Sequence, residues 1–181
     1  MNLPNKITVF RVILIPVFVF FLLKQDIEGA KWWALIFFCL ASVSDFFDGY
    51  LARKNNLVTD FGKFMDPLAD KLLICSAMIA LTSTSPDRMP AWVVIIIIAR
   101  EFTISGFRLI AADNGKVIAA SIWGKVKTVV QMFMVILLIC DFGEDTVHII
   151  EKVLVYLALT LTIVSLADYI WKNREVISSS K

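Results

Sequence analysis

Apolar segments of membrane-spanning length dominate this sequence and leave few folds open to it. Six such segments can be separated, each close to the roughly 20 residues that a helix needs to cross the hydrocarbon core of a bilayer. Short polar or glycine-containing connections divide them. Their approximate bounds are 7–23, 32–52, 67–83, 90–111, 123–140 and 147–171. We therefore expect an all-α integral membrane protein with six transmembrane helices, in a single domain that covers residues 1–181.

The composition agrees with a membrane protein and argues against other classes. Hydrophobic residues make up 59% of the chain and charged residues only 19%, which does not suit a soluble domain of 181 residues. The net charge is +2, without a dense basic tract, so nucleic-acid binding is not expected. Cys39, Cys75 and Cys140 stand singly in apolar runs, which fits neither a zinc site nor a disulfide framework.

The distribution of basic residues predicts how the chain is oriented, because cytoplasmic connections are enriched in Lys and Arg. Most of them fall on one side of the predicted membrane, which therefore faces the cytoplasm. These residues are Lys6, Arg11, Arg53, Lys54, Lys63, Arg108, Lys116, Lys125, Lys127, Lys172, Arg174 and Lys181. The other side has Lys24, Lys31, Arg88 and Lys152. Both termini and the connections near 53–66 and 112–122 are thus expected in the cytoplasm, and the acidic loop 141–145 outside.

Four aspartates flank the predicted cytoplasmic connection between the second and third segments: Asp45, Asp48, Asp66 and Asp70. At 100° per residue, Asp45 and Asp48 share a helix face about 100° wide with Gly49 and Ala52. That face is acidic and otherwise small, which leaves room for a flat ligand. Asp66 and Asp70 are one helical turn apart, so they form a second acidic pair that can converge with the first.

Ionised carboxylates gathered near a membrane boundary repel one another unless cations neutralise them or some become protonated. Oxygen ligands alone favour Mg²⁺, Mn²⁺ or Ca²⁺. The cluster therefore predicts a divalent-metal site beside a phosphate-bearing substrate. The alternative is that the four aspartates are ordinary caps and solvated loop residues at the interface. That alternative does not explain the matched spacing of all four with Gly49, Ala52, Arg53 and Gly62.

The pattern Asp-x2-Asp-Gly-x2-Ala-Arg-x8-Gly-x3-Asp-x3-Asp at residues 45–70 resembles the signature of the CDP-alcohol phosphotransferases and agrees with it at every defined position. The resemblance covers essentially the whole chain. The opening 2–8 with Arg11, the step 99–101 and the step 124–128 are similar to the bacterial members that use glycerol 3-phosphate. The signature is long, so the resemblance is specific.

The resemblance implies six helices around a polar cavity open to the cytoplasm, in a homodimer of the bacterial inner membrane. It implies transfer of the phosphatidyl group from CDP-diacylglycerol to glycerol 3-phosphate in phospholipid biosynthesis, giving phosphatidylglycerophosphate and CMP. The four aspartates would hold Mg²⁺ or Mn²⁺, and Asp70 would accept the proton of the acceptor hydroxyl. The residues implied for CDP-diacylglycerol are Asn5, Thr8, Asp45, Gly49, Ala52, Arg53 and Gly62.

Four further cations are candidates for binding the phosphate of the acceptor: Arg100, Arg108, Lys125 and Lys127. Cations at cytoplasmic helix ends are also expected from topology alone, which is the alternative for all of them except Arg100. Arg100 lies some ten residues inside the fourth segment, where a charge is costly unless it is paired. We expect the adjacent Glu101 not to share its face, so that Arg100 points into the polar cavity.

Other functions remain open at this stage. Within the same family the acceptor can be inositol phosphate, serine or phosphatidylglycerol, and the acidic motif does not distinguish these. A divalent-cation transporter also has acids in its membrane segments, but they should spread across the depth of the bilayer. Here all four lie near one face. A structural scaffold gives no reason for the acidic cluster.

Overall fold

The computed structural model describes the backbone of residues 3–54, 60–113 and 121–173, and their side chains apart from 3–4, 45–54, 60–61, 63–64 and 112–113. Within these ranges the chain is all-helical, without strands. The helices are α1 Leu3–Leu23, α2 Ala30–Lys54, α3 Asp60–Thr84, α4 Ala91–Asp113, α5 Ile122–Cys140 and α6 Asp145–Lys172. Every predicted segment corresponds to one of them.

The helices are grouped into two compact units. The first unit contains Met1–Asp87 and Val135–Phe142, and the second contains Arg88–Met134 and Gly143–Lys181. In the first unit α1 packs against both α2 and α3. The rings of Phe18 and Phe38, which are fully buried, lie 5.5 Å apart between centroids and join α1 to α2.

In the second unit α4 packs against α6. The buried residues of α4 include Val93, Ile97 and Ile104, which recur at helical spacing, while Ile95 and Phe102 are exposed. Buried positions on α6 recur in the same way, from Glu151 to Tyr169. In water such exposed apolar residues would be a liability, but in a bilayer they face lipid.

Four helices of the described residues are long and apolar enough to cross a membrane. Their spans are Asn5–Leu23, Met65–Thr84, Ile122–Cys140 and Asp145–Lys172. Within the described side chains of α2, which end at Ser44, the stretch Ala30–Ser44 is also apolar but shorter. α4 contains Arg100, Glu101 and Arg108, which interrupt its apolar run. The chain is thus a membrane protein by these helices, and the expected number of six spans stays a prediction.

The start of α3 differs from the sequence-based expectation. The segment was expected to begin near Pro67, but the helix begins at Asp60 and includes that proline. The expected bound followed the apolar run, whereas the helix also includes the polar residues that precede it. In membrane helices an internal proline is tolerated because neighbouring groups satisfy the freed carbonyl. The extra turns carry Gly62 and Asp66 on the same helix as Asp70.

The short connections at 24–29 and 141–144 agree with the expected surface loops. Gly29 and Gly143 have φ angles of 73° and 71°, a left-handed conformation that glycine adopts without strain. In the first unit, Lys31 Nζ donates a hydrogen bond of 3.2 Å to the carbonyl of Asp141. This bond links the start of α2 to the end of α5.

Candidate active site

The acidic motif lies on two helices separated by a short connection. Asp45 and Asp48 belong to the last three turns of α2, which ends at Lys54, and Asp66 and Asp70 belong to α3, which begins at Asp60. The side chains of Asp45, Asp48, Gly49, Ala52 and Arg53 lie outside the described residues. The convergence of the two acidic pairs therefore stays a prediction.

The described half of the motif receives a side chain from α1. Thr8 Oγ1 donates a hydrogen bond of 2.7 Å to Asp66 Oδ1, and Thr8 is fully buried. A bond this short is typical of a hydroxyl that donates to a carboxylate. Asn5, one turn before Thr8, is also buried, as is Gly62 on α3. Thr8 therefore lies against Asp66, as a pocket completed by the first helix requires.

Two of the four aspartates expected to bind the metal, Asp66 and Asp70, have described side chains. Among residues with described side chains, no group of three or more His, Cys, Asp or Glu is arranged to hold a metal ion. Asp45 and Asp48 fall outside that search. What the described residues contribute is a carboxylate pair, Asp66 and Asp70, one turn apart and both half-buried. Such oxygen donors suit Mg²⁺ or Mn²⁺.

In the second unit, two of the four candidate cations are buried and share an acidic partner. Arg100 and Lys127 are 8% and 2% exposed. Arg100 Nη1 donates a hydrogen bond of 3.0 Å to Glu101 Oε1, and Lys127 Nζ donates to the same oxygen. The expectation that Glu101 does not pair with Arg100 is therefore wrong. The side chains of Arg100 and Glu101 are long enough to meet although consecutive helix positions point 100° apart. Lys127 of α5 also attracts the carboxylate of Glu101.

A serine on α6 holds the other end of the guanidinium. Arg100 Nη2 donates a hydrogen bond of 3.0 Å to Ser165 Oγ, and Ser165 donates its own hydrogen to the carbonyl of Thr162. A hydroxyl has one hydrogen to donate, so its lone pairs are left for Arg100. Arg100 Nε is buried, and no residue in the described part of the chain forms a hydrogen bond with it. The guanidinium is thus fixed at two nitrogens.

The other two candidate cations are exposed. Arg108 on α4 lies with its guanidinium carbon 6.0 Å from the centre of the Tyr169 ring, close enough for a cation–π interaction. Phe107 contacts the same ring edge-on. Lys125 lies in the first turn of α5, where Ser121 Oγ accepts a hydrogen bond from the amide of Gly124 as a helix cap.

Sequence reasoning missed three side chains around these cations, namely Glu101 as a partner, Ser165 and Tyr169. The available signal was indirect. A charge within an apolar segment requires a partner, but the partner of Arg100 on α6 is 65 residues away and cannot be identified from helical periodicity. Glu101 directly follows Arg100 in the chain. Its pairing could be predicted only from the length of both side chains together with their angular positions on the helix.

Comparisons with known proteins match this chain over most of its length. The sequence model of the CDP-alcohol phosphatidyltransferase family matches residues 1–164. A protein of Bacillus subtilis strain 168 is 43% identical across 99% of this chain and 98% of its own length. Relatives from Rickettsia felis and Haemophilus influenzae are 41% and 39% identical, each across 93% of this chain and over 90% of their own lengths. All three are named CDP-diacylglycerol–glycerol-3-phosphate 3-phosphatidyltransferase.

Proposed function

The chain belongs to the CDP-alcohol phosphatidyltransferase family, and we propose that it transfers the phosphatidyl group of CDP-diacylglycerol to glycerol 3-phosphate, giving phosphatidylglycerophosphate and CMP. The observation that carries the choice of acceptor is the 43% identity, across 99% of the chain, to a relative whose name states this reaction. The family resemblance expected from the acidic motif is confirmed. The chain is thus a transferase of phospholipid biosynthesis.

The donor is bound, in this proposal, by residues of the first unit. Asp45, Asp48, Asp66 and Asp70 hold the divalent cation, Mg²⁺ or Mn²⁺. When bound, such a cation would supply positive charge for the pyrophosphate of the donor. The hydrogen bond from Thr8 supports the proposal, because it fixes one oxygen of Asp66 and leaves the other to face a ligand. The residues proposed for CDP-diacylglycerol are Asn5, Thr8, Asp45, Gly49, Ala52, Arg53 and Gly62.

Asp70 is proposed to accept the proton of the attacking hydroxyl. The acceptor oxygen forms a bond to the phosphorus that bears diacylglycerol, and the bond from that phosphorus to the oxygen bridging to CMP breaks. CMP leaves with the electron pair of that bond, and the hydroxyl proton passes to the carboxylate of Asp70. A carboxylate positioned beside the attacking hydroxyl can act as such a general base.

The acceptor should be an anion, because the second unit supplies a surplus of positive charge. Arg100, Arg108, Lys125 and Lys127 are the proposed source of that charge, and Glu101 offsets only one of the four. An arginine suits a phosphate through its planar fork of donors. Serine, which bears no phosphate, would not use this surplus.

The membrane arrangement is the remaining part of the proposal. We propose that all six helices cross the bacterial inner membrane as one domain around a cytoplasm-facing polar cavity, with both termini in the cytoplasm and as a homodimer. The excess of Lys and Arg on one side supports the orientation. The match of one family model to residues 1–164 supports the single domain.

The reaction is tested by release of CMP. Purified protein is given CDP-diacylglycerol with Mg²⁺ or Mn²⁺, then glycerol 3-phosphate, serine, inositol phosphate or phosphatidylglycerol separately. We expect CMP release when glycerol 3-phosphate and the metal are both present. We expect no release when the metal is omitted, and none with the other acceptors. CMP release only with another acceptor would show that the proposed acceptor is wrong, and the family assignment would remain. No release with any of them would overturn the reaction.

Asp70→Asn tests the proposed proton acceptor. The substitution keeps the shape of the side chain but removes its basicity, so we expect kcat to fall by about 10²-fold or more, the usual contribution of a general base. Binding of CDP-diacylglycerol should change little. The matched control is Asp87→Asn, at an exposed aspartate in the connection after α3, which should retain the wild-type rate. Wild-type kcat in Asp70→Asn would remove Asp70 from this role.

A further inference from the structure

Buried charges in the second unit form one connected group, which we call the Glu101 cluster: Arg100, Glu101, Lys127 and Ser165. The carboxylate of Glu101 is 14% exposed, and a single oxygen of it accepts from both cations. Within these four residues, the ammonium of Lys127 and the guanidinium of Arg100 share one carboxylate oxygen, in a setting from which water is largely excluded.

The two cations of the cluster differ in what they offer to an anion. Lys127 is 2% exposed and its ammonium is engaged with Glu101. Arg100 has Nη1 on Glu101 and Nη2 on Ser165, yet its Nε has no hydrogen-bond partner among the described residues. The Nε and Nη2 edge of a guanidinium is one of the two forks with which arginine binds a phosphate. Arg100 thus offers this edge to an anion.

The approach to Arg100 is left open by a glycine. A Cβ atom added at Gly124 of α5 would lie 3.6 Å from Arg100 Nη2 and 3.7 Å from Ser121 Oγ. No side chain therefore extends from this position over the guanidinium. The exposed Lys125 follows directly in the chain.

We infer that Glu101 is a positioning residue for the acceptor phosphate, which holds Arg100 in the orientation that binds the phosphate, and that Lys127 acts through Glu101 and does not contact the phosphate. The inference rests on the proposed function, since it concerns how the acceptor is bound. Ser165 holds the second nitrogen, Nη2 of Arg100, by accepting a hydrogen bond from it. Lys127 partly neutralises the carboxylate of Glu101. Glu101 therefore does not cancel the positive charge of Arg100, and the guanidinium still attracts an anion.

Three variants separate this role from direct binding by Lys127. Glu101→Gln should raise the KM for glycerol 3-phosphate about tenfold, the order expected for a charged hydrogen bond, with kcat and the KM for CDP-diacylglycerol nearly unchanged. Lys127→Met should raise the same KM about threefold, since Glu101 is retained. The double variant should resemble Glu101→Gln alone, because both changes interrupt one chain of contacts.

The double variant also removes the risk that a single change merely unfolds the protein. It deletes one positive and one negative charge together, so the net charge of the cluster is unaltered. If Glu101 served only to balance charge, the double variant would recover the wild-type KM. If Lys127 contacted the phosphate directly, Lys127→Met would have the larger effect and the two effects would multiply. Either result, or an unchanged KM in Glu101→Gln, would overturn the inference.

A readout without turnover keeps the inference distinct from the proposed reaction. Glycerol 3-phosphate should raise the melting temperature of the wild-type protein in detergent, and this rise should be lost in Glu101→Gln and kept in the control Glu151→Gln. If wild-type protein releases no CMP with glycerol 3-phosphate, the proposed function fails. If it does release CMP but Glu101→Gln retains both the rise and the wild-type KM, only the positioning role fails.

Discussion

Two glutamates of the second unit each lie between two basic side chains, and their surroundings differ. Glu101 on α4 accepts from Arg100 and Lys127 through one oxygen. Glu151 on α6 is fully buried and uses both oxygens: Arg88 Nη1 donates to each at 3.3 Å, and His148 Nδ1 is 3.0 Å from Oε2. We call Arg88, His148 and Glu151 the Glu151 cluster.

The difference lies in charge balance. With neutral histidine, the Glu151 cluster has a net charge of zero, and both oxygens of its carboxylate are engaged within the protein. In the Glu101 cluster, two cations share one oxygen of a single carboxylate, and Arg100 Nε has no hydrogen-bond partner among the described residues. We therefore expect the Glu151 cluster to contribute to stability and the Glu101 cluster to bind an anion. The following changes test that contrast, in order of expected effect.

Glu151→Gln should destabilise the protein without affecting catalysis. The substitution leaves the guanidinium of Arg88 beside a neutral group in a buried site, and removal of one partner of a buried ion pair costs about 3 kcal/mol. We expect a matching loss in the free energy of unfolding, measured by thermal denaturation in detergent. The KM for glycerol 3-phosphate should stay at the wild-type value. A raised KM would mean that the two clusters do not differ in kind.

The control for this change is the double variant Glu151→Gln with Arg88→Met. Removal of both charges avoids a cation beside a neutral glutamine, and apolar replacement of a buried pair is often close to neutral. The double variant should therefore recover about 1–2 kcal/mol relative to Glu151→Gln. A double variant less stable than the single one would show that the ion pair does not account for the loss.

Gly124→Ala should sharpen the contrast from the side of the Glu101 cluster. The added methyl group fits, at 3.6 Å from Arg100 Nη2, but it covers that nitrogen. We expect the KM for glycerol 3-phosphate to rise about threefold to fivefold, as for a weakened hydrogen bond to a charged group. Gly106→Ala on α4 is the matched control, since nothing lies within 4 Å of the added atom. Equal KM values in the two variants would argue against an approach to Arg100 past Gly124.

The smallest effect is expected at Tyr169. Its ring supports Arg108 by a cation–π contact at 6.0 Å, which at an exposed site corresponds to about a twofold change in affinity. Tyr169→Leu removes the ring and should raise the KM for glycerol 3-phosphate about twofold. Tyr169→Phe keeps the ring and removes a buried hydroxyl that has no hydrogen-bond partner, so its KM should remain that of the wild type. A larger change in Tyr169→Phe would assign the effect to the hydroxyl instead.

Much of the fold could be predicted because hydropathy is a local property. Each apolar segment found in the sequence corresponds to a helix, with bounds that agree within a few residues except at the start of α3. That exception arose because the segment was bounded by its apolar run, whereas α3 begins with polar residues at Asp60 and includes Pro67. The additional turns at the start of α3 include Gly62 and Asp66 of the acidic motif.

The candidate site was predictable in its residue types and less so in its contacts. Thr8 was expected beside the acidic pocket, and it lies against Asp66. The partners of Arg100 were not found, because Ser165 reaches it through the packing of α6 on α4, which depends on helix rotation. Periodicity assigns a residue to a face of its own helix. It does not identify the residue opposite.

The pairing of α4 has a consequence for how the protein enters the membrane. In the proposed six-span arrangement, insertion of a charged residue near the middle of a helix costs about 2.5–3.5 kcal/mol. Arg100 and Glu101 offset each other within α4 as soon as it is made. Lys127 and Ser165 arrive only with α5 and α6. We therefore expect the lasting insertion of α4 to depend on synthesis of the last two helices.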